Sequence, residues 1–377
     1  MSNQLSYWEL NSFFDFDVII IGSGIVGLNA AIHLKKSEPS LKIAVLESGF
    51  LPSGASTKNA GFACFGSISE LIEQERICGS ENLAALIDKR WKGLLKLRGI
   101  LGDKAIDYQP LGGYELFKND DLAFYEASVA KIEHYNQLIK PVIGSNTFFT
   151  DNNKIKKFGF KSVSGLIANR YEAQIDIGKM MLALTQYAQS LGCFFFNNCE
   201  VEEILNETNL SLRTKQGIFK TRKVIVTTNA FVNKLIPDLD IKPGRGQVLI
   251  TRPIKNLKFE GTFHYDKGYY YFRNINERVL LGGGRNLDFA AEETTNLGLT
   301  SKIQNALENL LREVIFPDTD YEIDYRWSGI MAFGNRLEPI VTETSPNVFC
   351  AVRCNGMGVA MGSQTGEDVA ELVLKSL

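Results

Sequence analysis

The sequence is poor in the residues and patterns that define several protein classes. It has three histidines, His33, His134 and His264, whose wide spacing suggests no metal site. Its six cysteines include no C-x-x-C pair, so free cytosolic thiols are expected. A net charge of -2 and a pI near 6.1 disfavour binding to nucleic acid or to an anionic membrane. Apolar runs such as Val18–Ile21 are far too short to span a bilayer, and residues 1–16 lack the pattern of a signal peptide, so a cytoplasmic location is expected.

The most informative stretch is a glycine-rich turn near the start of the chain. Val18–Ile21 is a β-branched run that predicts a buried strand, and residues 28–36 predict a helix. Between them, Gly22, Gly24 and Gly27 form the pattern G-x-G-x-x-G. Such glycines allow a tight turn, a close approach of a pyrophosphate to the backbone, and close packing of helix on strand. This arrangement predicts a dinucleotide-binding crossover, at which the helix N-terminus attracts phosphate.

An acidic residue follows the next predicted strand. Glu47 lies twenty residues after Gly27 and ends the apolar run 41–46, where a carboxylate can accept hydrogen bonds from ribose hydroxyls. The small-residue loop 48–63 comes next and suits close approach of a bound cofactor, although it could also be a plain connector. The motif by itself does not separate NAD from FAD.

A predicted β-meander favours FAD over NAD. An amphipathic helix over 176–191 precedes short strands at 200–205, 209–214 and 217–222, with turns at 206–208 and 215–216. A further buried strand, 224–230, runs into small residues. This order is how flavoproteins with a dinucleotide-binding fold complete their FAD domain, whereas simple NAD dehydrogenases lack the meander.

Several motifs together resemble those of one family. They are Ser6–Glu9, Gly54–Gly61, Arg245–Gln247, Tyr325–Gly329, Asn335–Pro339 and Asn355–Val359. With the glycine fingerprint, they make nearly the whole chain similar to the D-amino-acid-oxidase-like FAD oxidoreductases, the group of glycine oxidase, sarcosine oxidase and gamma-glutamylputrescine oxidase. The implied fold class is α/β. It combines a Rossmann-type FAD-binding domain, with a parallel sheet and a β-meander, and a second α+β substrate domain on a mixed or antiparallel sheet.

The resemblance also implies which segments form each domain and bind FAD. The FAD-binding domain would comprise 1–75, 150–235 and 325–377, and the substrate domain 76–149 and 236–324. The implied FAD contacts lie at the first crossover, the small-residue loop, the meander and the last helix. They are Gly22, Gly24, Ile25, Val26, Gly27, Glu47, Ser48, Ser56, Thr57, Lys58, Asn59, Ala60, Gly61, Val201, Thr228, Asn229, Ala230, Gly329, Asn355, Gly356, Met357, Gly358 and Val359.

Three departures from the family pattern carry information. Met331 stands where amino-acid-oxidising members have an arginine that clamps the substrate carboxylate, which disfavours a simple α-amino acid unless another arginine takes over. No cysteine lies between Cys199 and Cys350, where sarcosine-oxidase-like members tether flavin, so non-covalent FAD is expected. The oxygen-activating lysine of those oxidases would fall near Tyr270, on an aromatic run, so the sequence leaves open whether the enzyme is an oxidase or a dehydrogenase.

The implied activity is oxidation of the C–N bond of a small amine or amino acid. Hydride passes to the flavin, the imine hydrolyses in water, and the electrons go to O2 or another carrier. Tyr270, Arg273 and Trp327 are the candidate substrate-contacting residues, with Tyr271 on the same strand; each could instead simply pack the sheet. Alternatives are an FAD enzyme acting on a modified tRNA nucleoside, and a non-catalytic FAD-binding module.

Overall fold

The structure is a computed structural model that describes residues 5–206 and 210–377. Its strands are β1 (Asp15–Ile21), β2 (Ile43–Leu46), β3 (Phe62–Ala63), β4 (Gly113–Lys118), β5 (Phe148–Thr150), β6 (Val163–Asn169), β7 (Ala173–Gln174), β8 (Phe194–Phe196), β9 (Val201–Asn206), β10 (Leu210–Thr214), β11 (Gly217–Val226), β12 (Lys242–Thr251), β13 (Thr262–Tyr265), β14 (Tyr270–Ile275), β15 (Arg278–Gly283), β16 (Ile323–Phe333), β17 (Ile340–Ser345) and β18 (Val348–Val352). Its α-helices are α1 (Tyr7–Phe13), α2 (Ile25–Ser37), α3 (Ile68–Leu101), α4 (Leu122–Val129), α5 (Ile132–Ile143), α6 (Asn153–Phe158), α7 (Ile177–Ser190), α8 (Phe289–Glu292), α9 (Ser301–Leu310) and α10 (Gly358–Leu374).

The chain divides into two compact units. The first unit contains Met1–Thr57, Gly178–Lys242 and Ala332–Leu377, and the second contains Lys58–Ile177 and Pro243–Met331. These boundaries differ from those the sequence predicts, chiefly because 58–75 and 150–177 belong to the second unit. The physical reason is strand pairing: β3 pairs with β7, and β6 pairs with β4 and β5 in the large sheet of that unit.

The first unit is built on a parallel sheet with the predicted crossover at its centre. The strand order is β17-β18-β11-β1-β2-β8, and every neighbouring pair along this path is parallel except β17 with β18. β1 is central because its β-branched side chains are buried on both faces. The Rossmann-type arrangement that the sequence predicts is therefore confirmed.

The meander is also confirmed, with one difference. β9 and β10 pair antiparallel, and β10 pairs antiparallel with the first part of β11. β11 is a single ten-residue strand, whereas the sequence predicts two. Its first part extends the meander and its second part, Val224–Val226, lies between β1 and β18. The predicted turn at 206–208 includes residues 207 and 208, which lie outside the described residues.

Two helices of the first unit pack unusually closely. A Cβ on Gly366 of α10 would lie 2.6 Å from the carbonyl oxygen of Val26 in α2, and one on Gly362 would collide with Ile25. Glycine at these two positions allows the two helix backbones to touch. The first helix after the glycine-rich turn is thus held against a helix more than 300 residues later in the chain.

The second unit is built on a mixed sheet of eight strands in the order β16-β12-β15-β14-β13-β4-β6-β5. Only β13 with β4 is parallel among the pairs whose register is described. One face of the sheet carries the main core of the unit, in which the rings of Phe263 and Phe272 stack at 4.6 Å. A smaller cluster contains Ala60, Val248 and Leu280, with Tyr271 and Trp327 packed against it. The two clusters draw on alternate residues of the same strands, as the pleat requires.

The long helix α3 bends once. Gly79 interrupts it with φ +78° and ψ 164°, and no atom lies within 4 Å of where its Cβ would be. Helix α3 therefore consists of two helical stretches that meet at Gly79. Among the helices of the described residues, none is long and apolar enough to cross a bilayer.

Candidate functional site

The glycine-rich turn of the first unit has the geometry that the sequence predicts. Gly22 ends β1 with φ +103°, a conformation that favours glycine. A Cβ on Gly27 would collide with the carbonyl oxygen of Gly22 and lie 2.7 Å from Thr227 Oγ1, so helix α2 packs directly on the turn. Gly24 is the N-cap of α2 and has no capping side chain. A Cβ there would lie 3.0 Å from Ser56 Oγ, which accepts a hydrogen bond from the Ile25 amide.

Glu47 lies at the end of β2 and is fixed by hydrogen bonds to the turn. Its Oε2 accepts hydrogen bonds from the Ser23 amide at 3.1 Å and from the Ser23 hydroxyl at 2.7 Å. Its Oε1 accepts a hydrogen bond from the Gly49 amide at 3.0 Å and lies 3.5 Å from Ser48 Oγ. The carboxylate is buried, so these donors hold one orientation of the acid at the edge of the crossover.

The carboxyl ends of β1 and β11 meet beside this turn. Thr227 Oγ1 donates to the Ile21 carbonyl at 2.8 Å, which ties the strand end to the turn. Thr228, the next residue, has a buried hydroxyl with no hydrogen-bond partner among the described residues. Asn229 adopts φ +49° and its side chain accepts from the Arg353 amide, while Ala230 is buried in the short 3-10 turn that follows.

The start of α10 resembles the start of α2 in that the N-cap residue makes no capping bond through its side chain. Asn355 and Gly356 have left-handed backbones, with φ +48° and +82°, and lead into the N-cap residue Met357, which makes no capping bond through its side chain. No atom lies within 4 Å of a Cβ built on Gly358, and Val359 is buried in the first turn. Asn355 Nδ2 donates to the Leu337 carbonyl at 2.8 Å and so fixes this loop.

These features fit an adenine dinucleotide in the first unit. At both helix N-termini the N-cap residue makes no capping bond through its side chain, although Ser56 accepts from the first amide of α2. The backbone at Gly358 is open, and the buried hydroxyl of Thr228 has no hydrogen-bond partner among the described residues. Free amides and the positive end of a helix dipole are what a pyrophosphate or another anionic group requires. The remaining predicted contacts of this unit are Val26 in the first turn of α2, Thr57 at the end of the 3-10 turn Ala55–Thr57, and buried Val201 at the start of β9. The sequence analysis missed Ser23 and Thr227, which hold the turn in place.

The predicted contacts in the second unit form one continuous segment against β16. The carbonyl oxygen of Lys58 accepts a hydrogen bond from Trp327 Nε1 at 2.9 Å, and a Cβ on Gly329 would lie 2.9 Å from Lys58 Cβ. Asn59 Oδ1 accepts from the Gly61 amide at 2.9 Å, which gives Gly61 its φ of +75°. Trp327 therefore has a structural contact whether or not it meets a ligand.

Arg273 is the most unusual charged residue of this unit. Its side chain is 5% exposed and lies against Gly61, to whose carbonyl Nη1 donates a long hydrogen bond of 3.4 Å. Its Nε is buried with no hydrogen-bond partner among the described residues. Burial lowers the pKa of Arg273 to about 10, although Asp176 and Asp107 act in the opposite direction. A buried guanidinium with an unused donor is suited to an anionic ligand.

The structure separates Tyr270 from the other two candidate substrate contacts. Tyr270 packs into the main core with Phe272, on the face of the sheet opposite to Arg273. Tyr271 shares the face of Arg273, and its ring lies 5.8 Å from that of Phe62 and in the cluster that includes Trp327. Burial raises the pKa of Tyr271 to about 12. The placement of Tyr270 argues against the role that the sequence gives it and favours Tyr271.

Comparisons with known proteins agree with this geometry. A family model described as "FAD dependent oxidoreductase" (DAO) matches residues 17–372. Among curated proteins, the chain is 23% identical over 378 residues to gamma-glutamylputrescine oxidoreductase of Escherichia coli (strain K12), covering 97% of this chain and 85% of the relative. It is 22% identical over 376 residues to the probable oxidoreductase OrdL of Haemophilus influenzae, covering 95% and 83%.

Two solved structures show the same fold. L-proline dehydrogenase from P. horikoshii superposes with a TM-score of 0.76 at 20% identity, covering 96% of this chain and 94% of that one. Glycine oxidase from Geobacillus kaustophilus superposes with a TM-score of 0.75 at 20% identity, covering 96% and 95%. At this level of identity, the likeness extends to the fold alone.

Proposed function

The chain belongs to the DAO family of FAD-dependent oxidoreductases, and from that premise we propose that it oxidises the C–N bond of a small amine that carries a carboxylate. FAD is the cofactor of this family, so the NAD alternative is excluded. The buried guanidinium of Arg273, with one donor unused, is the observation that carries the choice of substrate.

The first unit would hold the adenosine and pyrophosphate of FAD. Gly22, Gly24 and the remaining amides in the first turn of α2 would face the pyrophosphate, while Glu47 would accept hydrogen bonds from ribose hydroxyls. Asn355–Val359 at the start of α10 would place a second helix N-terminus against an anionic edge of the cofactor. With no cysteine between Cys199 and Cys350, we expect the flavin to be bound non-covalently.

The second unit would bind and orient the substrate. Arg273 would bind the substrate carboxylate through two parallel N–H donors, which also removes the penalty of an underbonded buried cation. Tyr271 and Trp327 would flank the carbon chain of the substrate, and the apolar cluster of Ala60, Val248 and Leu280 would exclude water. When bound, FAD accepts the hydride from the carbon next to nitrogen, and the imine product hydrolyses in water.

The position of Met331 gives the proposal its particular form. Met331 occupies the place where the resemblance implies an arginine, and its Cε would lie 2.9 Å from a Cβ on Gly246. The carboxylate would instead be bound from β14, through Arg273. The substrates printed in the names of relatives, gamma-glutamylputrescine, glycine and L-proline, are all amines with a carboxyl group, which supports this class.

The test is an anaerobic flavin-reduction screen with matched pairs of compounds. Each carboxylated amine, such as glycine or sarcosine, is compared with the amine that lacks the carboxylate. We expect bleaching of the flavin only by carboxylated members. Equal bleaching by both members of each pair would contradict the role of Arg273. If no amine bleaches the flavin and the protein binds tRNA with an affinity that weakens with salt, the modified-nucleoside alternative is favoured. If no amine bleaches the flavin and tRNA does not bind, a non-catalytic FAD-binding module is favoured.

Two finer parts of the proposal have their own measurements. We expect a cytoplasmic enzyme, which fractionation of the native host would test. We expect the electrons to pass either to O2 or to another carrier, and an oxygen electrode run beside a dye-reduction assay separates an oxidase from a dehydrogenase.

A further inference from the structure

A second set of reactive side chains lies inside the second unit, and the proposed function does not use it. Cys64, Glu172 and His264 each offer one ligand atom, and these atoms all lie within 4.8 Å of one another. The three residues are between 1% and 5% exposed. Together they offer a sulfur, a carboxylate oxygen and an imidazole nitrogen, a donor set that suits transition-metal ions of intermediate softness.

The backbone fixes the positions of these three residues. β3 and β7 pair antiparallel with Ala63 opposite Ala173, so the next pair in the same register is Cys64 and Glu172. His264 comes from β13, a strand inside the eight-stranded sheet, where Glu115 of β4 is its register partner. Cys64 directly follows β3 and Glu172 directly precedes β7, whereas His264 lies within β13, so the cluster joins the end of the two-stranded sheet to a strand of the eight-stranded sheet.

Glu172 is incompletely bonded at the centre of this cluster. Its Oε1 accepts a hydrogen bond from Thr262 Oγ1 at 2.8 Å and lies 2.6 Å from His264 Nε2. Its Oε2 is buried with no hydrogen-bond partner among the described residues, and it occupies the space that a Cβ on Gly113 would fill. The void that Glu172 and His264 line has essentially no room for a free water molecule. A free water molecule therefore does not satisfy this oxygen, and an ion would have to bind it directly.

The carboxylates around His264 also favour a cation, and they outnumber the one buried cation near Cys64, the guanidinium of Arg90. Glu70 Oε2 lies 3.7 Å from His264 Nδ1, on the side of the ring away from Glu172. Glu115 is buried close by, and its carboxylate accepts hydrogen bonds from the amide and from the hydroxyl of Ser69. A carboxylate that faces the free ring nitrogen is the usual device that orients a metal-binding histidine.

We propose that Cys64, Glu172 and His264 bind a divalent transition-metal ion of the Zn2+ class. On binding, the ion displaces the proton between His264 Nε2 and Glu172 and the proton of the Cys64 thiol, both of which pass to solvent, and the second oxygen of Glu172 supplies a further donor. Its role is to cross-link β3, β7 and β13, since all three ligands are buried and fixed by the sheets. The sequence gives no sign of this site, because Cys64, Glu172 and His264 come from segments 92 or more residues apart.

The test measures metal content of the full-length, FAD-loaded protein. The protein is produced without a histidine tag and purified without a chelator. It is then incubated with Zn2+ and desalted, and its metal content is measured by elemental mass spectrometry. We expect one zinc ion per chain, and X-ray absorption at the zinc edge should show one sulfur ligand at about 2.3 Å beside nitrogen and oxygen at about 2.0–2.2 Å. The flavin does not interfere with either measurement.

Paired variants separate this site from adventitious binding. Cys64→Ser and His264→Gln should each lose the bound zinc, whereas the buried Cys350→Ser and the surface His134→Gln should keep it. Zinc that is absent from the wild type, or that stays bound in the Cys64→Ser/His264→Gln double variant, would overturn the proposal. If the ligand variants do not fold, the wild-type absorption spectrum decides, because a site without a sulfur ligand would also overturn it. None of these outcomes depends on the amine-oxidising activity.

Discussion

In the first unit, Gly22, Gly24 and Glu47 lie within 25 residues of one another and belong to one strand–helix–strand crossover. In the second unit, Ala60, Tyr271 and Trp327 come from segments up to 267 residues apart and meet only because the sheet brings them together. The nucleotide crossover is therefore a local structure. The sheet face that carries Tyr271 and Arg273 instead depends on the register of many strands. Variants in the two regions should fail in different ways.

The largest effect is expected at the crossover, from Gly27→Val. The new side chain would collide with the Gly22 carbonyl and with Thr227, backbone and side chain that have little room to move. Overpacking of this kind costs about 1–3 kcal/mol or more, and we expect loss of bound FAD and of much of the folded protein. Flavin absorbance per chain and thermal unfolding are the measurements. The matched control is Gly54→Ala, because no atom lies within 4 Å of a Cβ there; equal damage from both changes would contradict the argument.

The next largest effect is expected on the sheet face, from Arg273→Gln. Removal of one partner of a buried charge pair costs about 2–5 kcal/mol, so kcat/KM for a carboxylated amine should fall by about 30- to 5,000-fold. The same variant should bind FAD normally, and Arg273→Met should unfold at no lower temperature, since it removes an underbonded buried cation. Arg278→Gln on β15, whose partner is Asp324, is the control. An Arg273→Met protein that loses stability and activity together would indicate a structural role only.

An intermediate effect is expected from Glu47→Gln in the crossover. The glutamine side chain keeps one oxygen, so it can accept from the Ser23 amide or the Gly49 amide but not from both, and it loses the charge that strengthens hydrogen bonds to ribose hydroxyls. Hydrogen bonds to charged groups contribute about 1.5–3 kcal/mol, so the Kd for FAD should rise by about 10- to 100-fold. Flavin fluorescence titration of the apoprotein measures this Kd. Glu38→Gln, at the exposed end of α2, should leave it unchanged.

The smallest effects compare two adjacent tyrosines. Tyr271→Phe should change KM for the substrate by about 2- to 10-fold, because it removes one hydroxyl from the face of Arg273. Tyr270→Phe should leave kcat/KM unchanged, because Tyr270 lies in the core on the other face. Steady-state kinetics on both variants gives the comparison. A larger kinetic effect from Tyr270→Phe would mean that the substrate contacts the face of β14 that carries Tyr270, and not the face that carries Tyr271.

The same contrast explains what sequence alone could predict. The glycine spacing, the β-branched strand and the acid after β2 are local signals, and each indicated its structure directly. The run Tyr269–Phe272 is aromatic at every position, so its pattern gives no sign of which residues face the core. Only the pairing of Phe263 with Phe272, and of His264 with Tyr271, settles that alternation. The β3–β7 pairing that moves 58–75 into the second unit likewise joins residues more than 100 positions apart.

The close contact of α10 with α2 has a consequence for how the protein is made. The ribosome synthesises α2 more than 300 residues before α10, so the glycine-rich turn is made well before the helix that packs against it. Until α10 has been made, the nascent chain carries the crossover without this packing partner. We expect stable binding of FAD to require α10, so a stop codon placed before Gly358 should yield a chain that does not retain flavin.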